Sequence, residues 1–123
     1  MKIKIITNNY LIFRLYSNDY PVIYKKKSYK EILKLARDYV HKRHKLLTHP
    51  LSGSVKPNET PFKTILISSF LGDLDMKSLS IIEKSIETAD KFEEVVNDYS
   101  ENIERDFMEI DLSLIKNVIN KLN

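Results

Sequence analysis

Phe62-Lys63-Thr64-Ile65-Leu66-Ile67-Ser68-Ser69-Phe70 is the stretch on which the fold turns. Its centre, Ile65-Leu66-Ile67, is an unbroken run of large apolar residues, two of them β-branched. A strand with one wet face alternates polar and apolar side chains. A continuous apolar run instead predicts a strand covered on both faces, as in a parallel sheet flanked by helices.

The surrounding elements fit that reading. Upstream, Ser28 to His44 predicts a helix. Ser28 and Glu31 make a capping-box pattern, and Tyr29, Ile32, Leu33, Ala36 and Val40 recur on one apolar face. Lys42, Arg43 and Lys45 follow at its end, where cations suit the helix dipole. Met1–Thr7 reads as a strand through Ile3, Ile5 and Ile6, and Pro21–Lys25 as a short second strand. Between them, Asn8 or Asn9 can cap a short helix through Tyr16, or the chain can turn at Asn8-Asn9 into a hairpin strand. The helix is preferred, and the hairpin stays open. Lys45–Thr48 predicts a brief strand. Beyond Gly72, Leu79, Ile82, Ile86, Ala89, Phe92, Val96 and Tyr99 keep a helical stripe. Asp111 is expected to cap a last helix carrying Leu112, Ile115, Ile119 and Leu122 on one side. Strands alternating with helices give an α/β class: a three-layer α/β/α single domain over residues 1–123, with a small, mainly parallel, Rossmann-like sheet.

Composition narrows the function classes. A chain of 123 residues with 42% hydrophobic and 30% charged residues is an ordinary globular domain that folds without staples. It has no cysteine, which removes disulfides, thiolate nucleophiles and cysteine metal sites together. No apolar run approaches the roughly 20 residues of a membrane span, and the N-terminus does not read as a signal peptide, so no membrane contact and a cytoplasmic location are expected. Charge is uneven. Residues 1–63 carry 14 Lys/Arg against 4 Asp/Glu, whereas residues 64–123 carry 6 against 13. Such asymmetry signals nucleic-acid contact or attraction between the two halves.

Chemistry is expected in the loop-rich segment His41–Pro61, whose irregular part His49–Pro61 holds three prolines and one glycine. In parallel sheets ligands bind beyond the carboxyl ends of strands, where this segment and Thr7-Asn8-Asn9 are expected to lie. The candidate ligand-binding residues are Thr7, Asn8, Asn9, His49, Ser52, Gly53, Ser54, Lys56, Asn58, Glu59 and Thr60. Ser52-Gly53-Ser54 can present successive amides and hydroxyls to an anion, with Lys56 adding a point charge. Equally, these residues can satisfy backbone groups locally in a rigid crossover. Neither the phosphate-loop motif nor the dinucleotide fingerprint is present, and no cofactor is expected.

His41, His44 and His49 are the chain's three histidines, and their spacing admits a zinc-like site. Neighbouring Lys42, Arg43 and Lys45 oppose a dication, so no metal is the preferred reading. No nucleophile-elbow pattern surrounds Ser52 or Ser54, and catalytic residues remain unassigned. Lys27, Lys30, Lys34, Arg37 and His41 form a basic stripe. Glu83, Glu87, Asp90, Glu94, Asp98 and Glu101 form an acidic one. Solvated faces are their ordinary meaning, but they also admit a homo-oligomer or partner joined through opposite charges. Nucleic acid is disfavoured, because only Tyr24 and Tyr29 beside Lys25-Lys26-Lys27 supply aromatics next to cations.

The run HKRHKLLTHPLSGSVKPNETPFK, residues 41–63, strongly resembles the GrdX family. Ile6-Thr7-Asn8-Asn9 and the strand Thr64–Ser68 are similar to it too, so the likeness follows the chain in order. The resemblance implies a setting: amino-acid fermentation in an anaerobe, beside the selenium-dependent reductase of the clostridial glycine reductase clusters. It implies no reaction and transfers no catalytic residue. Since this chain has no cysteine, it is not itself a thiol or selenol carrier. The expectation is an accessory or ligand-binding protein with glycine reductase components as partners. The alternative is a small enzyme acting on a phosphorylated or carboxylated metabolite through His49, Lys56 and the serine–glycine turn.

Overall fold

A computed structural model describes residues 2–51, 59–92 and 99–122. The element order is β1 (Ile3–Thr7), α1 (Tyr10–Tyr16), β2 (Val22–Tyr24), α2 (Tyr29–His41), β3 (Thr64–Ser68), α3 (Met76–Ala89) and α4 (Glu101–Leu122). The class is mixed α/β, four helices on a small open three-stranded sheet. Asn9 settles the choice between helix and hairpin. Its side-chain oxygen accepts the Leu11 amide, which caps α1 and turns the chain away from the sheet. The capping box of Ser28 and Glu31 is formed at the start of α2. That helix closes through Arg43 at φ 77°, the left-handed residue that ends many helices.

The strand order is β2-β1-β3. β1 pairs in parallel with β2, Ile5 opposite Val22 and Thr7 opposite Tyr24. It pairs antiparallel with β3, Ile3 opposite Ser68 and Thr7 opposite Thr64. The sheet is therefore mixed, and the Rossmann-like, mainly parallel arrangement expected from the sequence is not what forms. The cause lies in the crossover. After α2, residues 45–48 pass beside β3 without forming the expected strand: one isolated antiparallel bridge joins Leu46 to Ile67, the Leu47 amide donates to the Leu66 carbonyl at 2.9 Å, and the chain bends at residues 47–48. That segment completes the return pass, so β3 runs back in the opposite direction beside β1. An apolar run reports burial on both faces but carries no direction.

The period of two along the strands feeds two separate cores. Ile6, Ile65 and Ile67 pack with Ile32, Leu33, Ala36 and Val40 of α2 and Ile82, Ile86 and Ala89 of α3. Ile3, Ile5 and Leu66 pack with Ile12 of α1 and Ile115 and Ile119 of α4. Two sequence expectations need correction on the C-terminal side. The stripe beginning at Leu79 does not run as one helix to Tyr99, since α3 stops at Ala89 with Asp90 as its C-cap, and Val96 lies outside the described residues. Asp111 caps nothing. It sits midway along α4, on the buried face that continues through Ile115 and Ile119.

The charged stripes meet within one molecule. Lys30 lies 4.0 Å from Asp90 and Arg37 3.9 Å from Glu83, joining α2 to α3. Glu94 and Asp98 of the acidic stripe fall outside the described residues. Among the described residues no helix is long and apolar enough to cross a membrane.

Candidate functional site

The carboxyl end of β1 brings together residues far apart in sequence. Register sets Thr7 opposite Thr64, and their hydroxyl oxygens are 2.7 Å apart. Thr64 Oγ1 donates to Asp111 Oδ2 at 2.6 Å. A hydroxyl has one proton, so Thr7 donates in turn to Thr64 and accepts the Asn9 amide at 2.9 Å. Asn9 Nδ2 closes the ring, donating to Asp111 Oδ2 at 3.0 Å and to the Met108 carbonyl at 2.9 Å. One carboxylate oxygen is thus gripped from β3 and the cap of α1, with Thr7 of β1 supporting both donors. Chains of this kind polarise one another in a low-dielectric interior.

Asn8 fastens the rim. Its Nδ2 donates to the carbonyls of Lys27 and Pro61 at 2.9 and 2.8 Å, and its Oδ1 accepts the Lys63 amide at 2.8 Å. All three hydrogen-bonding directions go to backbone. The residue holds the entrance to α2 and the approach to β3 at fixed positions around the end of β1.

Beside this network lies a cavity of about 190 Å³. Its polar lining is Tyr29, Glu59, Thr60, Lys63 and Asp111, and its apolar lining is Phe62, Phe107, Ile110 and Leu114. Lys63 and Asp111 are each only 8% exposed, yet no ion pair within 4.0 Å joins them. Among the described residues Lys63 Nζ has no hydrogen-bond partner, only the Tyr29 ring with its centroid 5.7 Å away. Asp111 Oδ1 has no partner there either. Every fully enclosed side-chain nitrogen or oxygen among the described residues is hydrogen-bonded. Neither Lys63 Nζ nor Asp111 Oδ1 is therefore fully enclosed, and both residues line the cavity.

Burial governs the proton affinities. It raises the Asp111 carboxyl above its ordinary value, against the opposing pull of Thr64, Asn9 and the Lys63 charge. It lowers the Lys63 ammonium, which Asp111 only partly offsets. Tyr29 is pushed up to about 12, by burial first and by Asp111 second. Opposite charges lining one cavity, each with a perturbed affinity, mark functional sites more often than ordinary surface.

The residues expected from the sequence are distributed unevenly. Thr7, Asn8 and Asn9 build the network, and Thr60 and Glu59 line the cavity. His49 is elsewhere: it lines a separate hollow with Lys45, Asp75 and Ser78, its Nδ1 accepting the Leu51 amide at 3.1 Å. Ser52, Gly53, Ser54, Lys56 and Asn58 lie outside the described residues. The three histidines do not converge. His41 is exposed, and buried His44 donates through Nδ1 to the Ser68 carbonyl at 2.7 Å. Among the described residues no three His, Cys, Asp or Glu side chains stand together as a metal site. Tyr29 is buried, as its place on the apolar face of α2 predicts, and so is not an exposed aromatic for nucleic acid beside Lys25-Lys26-Lys27.

Sequence reasoning missed Lys63, Thr64 and Asp111. Asp111 alone had a signal, because a carboxylate four residues before Ile115 and eight before Ile119 interrupts an apolar stripe. Neither the curated proteins nor the solved structures compared with this chain include a match. The family model described as GrdX-like protein matches residues 4–120, and the chain belongs to the GrdX-like protein family.

Proposed function

We propose that this chain is an accessory protein of the glycine reductase system that binds a small polar metabolite at the carboxyl end of β1. The family membership supports the setting, and the cavity supports the binding role. The observation that carries the reading is a pair of buried ionic side chains, Lys63 and Asp111, that line one cavity with no ion pair within 4.0 Å between them. Buried charges whose hydrogen-bonding capacity is only partly met among the described residues lower stability, and a fold that keeps Lys63 and Asp111 so placed is read as having a use for them. An anion-binding role is assigned to Lys63, a cation beside the cavity; Lys56, expected in that role from the sequence, lies outside the described residues.

Tyr29, Lys63 and Asp111 favour a second reading, a small acid–base enzyme, because three groups with shifted proton affinities share one wall. Native mass spectrometry of the purified chain separates these readings. Binding predicts a co-purifying or added metabolite retained unchanged, and Lys63→Met abolishing its retention. An enzyme predicts a mass change in the added compound. A chain that stays bare with every small amino acid, carboxylate and amine offered would overturn the site. Capture of glycine reductase components from a fermenting cell extract tests the setting independently.

A further inference from the structure

Resting on the binding role proposed above, we infer that the ligand is a small α-amino acid held as its zwitterion, its carboxylate on Lys63 and its ammonium on Asp111. Three features of the cavity lead to this class.

First come the vacancies in hydrogen bonding. Asp111 Oδ2 is filled by Thr64 and Asn9, while Oδ1 takes nothing among the described residues, so this carboxylate asks for a donor. Lys63 has three N–H donors and no acceptor among the described residues, so it asks for an anion. One ligand carrying both groups answers both.

Second is charge balance. Among the described residues the cavity presents one buried cation, Lys63, and one buried anion, Asp111, with exposed, solvent-screened Glu59 also in the lining, and the buried two do not touch within 4.0 Å. A bare carboxylate or a bare amine would leave the opposite protein charge buried and unanswered, the costly outcome in a low-dielectric site. A zwitterion brings no net charge and inserts its own dipole between the two. Charge-assisted bonds of roughly 2.7–2.9 Å on either side require the two groups to stand apart, and no contact within 4.0 Å joins them.

Third is size. A volume of about 190 Å³ lies below the range of drug-sized pockets and slightly above the roughly 150 Å³ cavity that accepts benzene. That suits a molecule of about six to nine non-hydrogen atoms. Phe62, Phe107, Ile110 and Leu114 offer a short apolar side chain a dry wall.

Calorimetry on the full chain tests the class with three matched sets. Glycine is compared with acetate and methylamine, L-alanine with propionate and ethylamine, and L-valine with isovalerate and isobutylamine. At least one amino acid should bind tenfold or more tightly than both of its truncated analogues. Lys63→Met should reduce that amino acid to the affinity of its amine, and Asp111→Asn to that of its carboxylate. If an analogue binds within threefold of the amino acid in every set, the zwitterion class is overturned while the binding site stands. If none of the nine compounds gives heat and native mass spectrometry finds no adduct, the site itself is refuted. The comparison on the parent protein decides the matter even where a variant fails to fold.

Discussion

Thr64→Val removes a single hydroxyl from the centre of the network and keeps the shape and β-branching of the side chain. In the parent, that hydroxyl donates to Asp111 Oδ2 at 2.6 Å and accepts from Thr7. A hydrogen bond to an ionised group contributes about 1.5–3 kcal/mol, and the Thr7 proton left without an acceptor adds about 1 kcal/mol to the cost. The extra buried methyl returns roughly 0.8 kcal/mol. The net expectation is a loss of about 2–3 kcal/mol at neutral pH. For a chain of this length that lowers Tm by about 6–12 °C. The same hydroxyl holds the Asp111 pKa down, so its removal lets the carboxyl rise further. The parent folded state releases this proton at lower pH than the variant does. The difference between them therefore grows as pH increases through the parent's folded value, by at most about 1.4 kcal/mol per pH unit. Urea unfolding followed by circular dichroism at pH 4 and pH 8 reads both quantities. A loss below about 0.5 kcal/mol, or one equal at the two pH values, would refute the claim that Thr64 serves an ionised Asp111.

Asp111→Asn isolates the carboxyl's own pH dependence. Its folded value is raised above the ordinary 3.8, so the stability it contributes is full below 3.8 and is lost as pH rises through the folded value. The variant should therefore gain on the parent as pH increases from 4, and parallel urea midpoints would contradict this. Lys63→Met should flatten the alkaline limb. The lowered ammonium contributes fully above its ordinary 10.5 and loses that contribution as pH falls through its folded value. Asn8→Ala should cost about 2–4 kcal/mol by orphaning the Lys63 amide and two carbonyls, and Asn8→Asp should not restore it, since a carboxylate cannot donate to Lys27 and Pro61. Arg37→Ala should cost under about 1 kcal/mol, because its 3.9 Å contact with Glu83 is a surface ion pair; a larger loss in urea unfolding would mean more than screened attraction.

Local chemistry decided which elements sequence could reveal. The Ser28 and Glu31 box, the Asn9 cap and the period of α2 act over a few residues, and each is present where the sequence placed it. The direction of β3 is set by how residues 45–48 return along it, a long-range matter that the run Ile65–Ile67 does not encode. The site divides in the same way. Thr7-Asn8-Asn9 stood out because a strand end before a helix is a familiar ligand position. Lys63 did not, because one lysine among the 20 Lys and Arg residues has no mark until its burial is known. Asp111 resembled an N-cap because carboxylates before apolar periodic residues often are. Only the helix starting ten residues earlier changes its meaning.

The hydrogen bond from Asn9 to Asp111 spans 102 positions of the chain, and that from Thr64 spans 47. Closing such distances is slow and comes after local helices have formed. During synthesis the hydroxyls of Thr7 and Thr64 meet with no anion to receive them until α4 is made and docked. The charged centre then serves as a checkpoint for completeness: a ribosome stalled before residue 111 releases a product with two cores begun and no pocket.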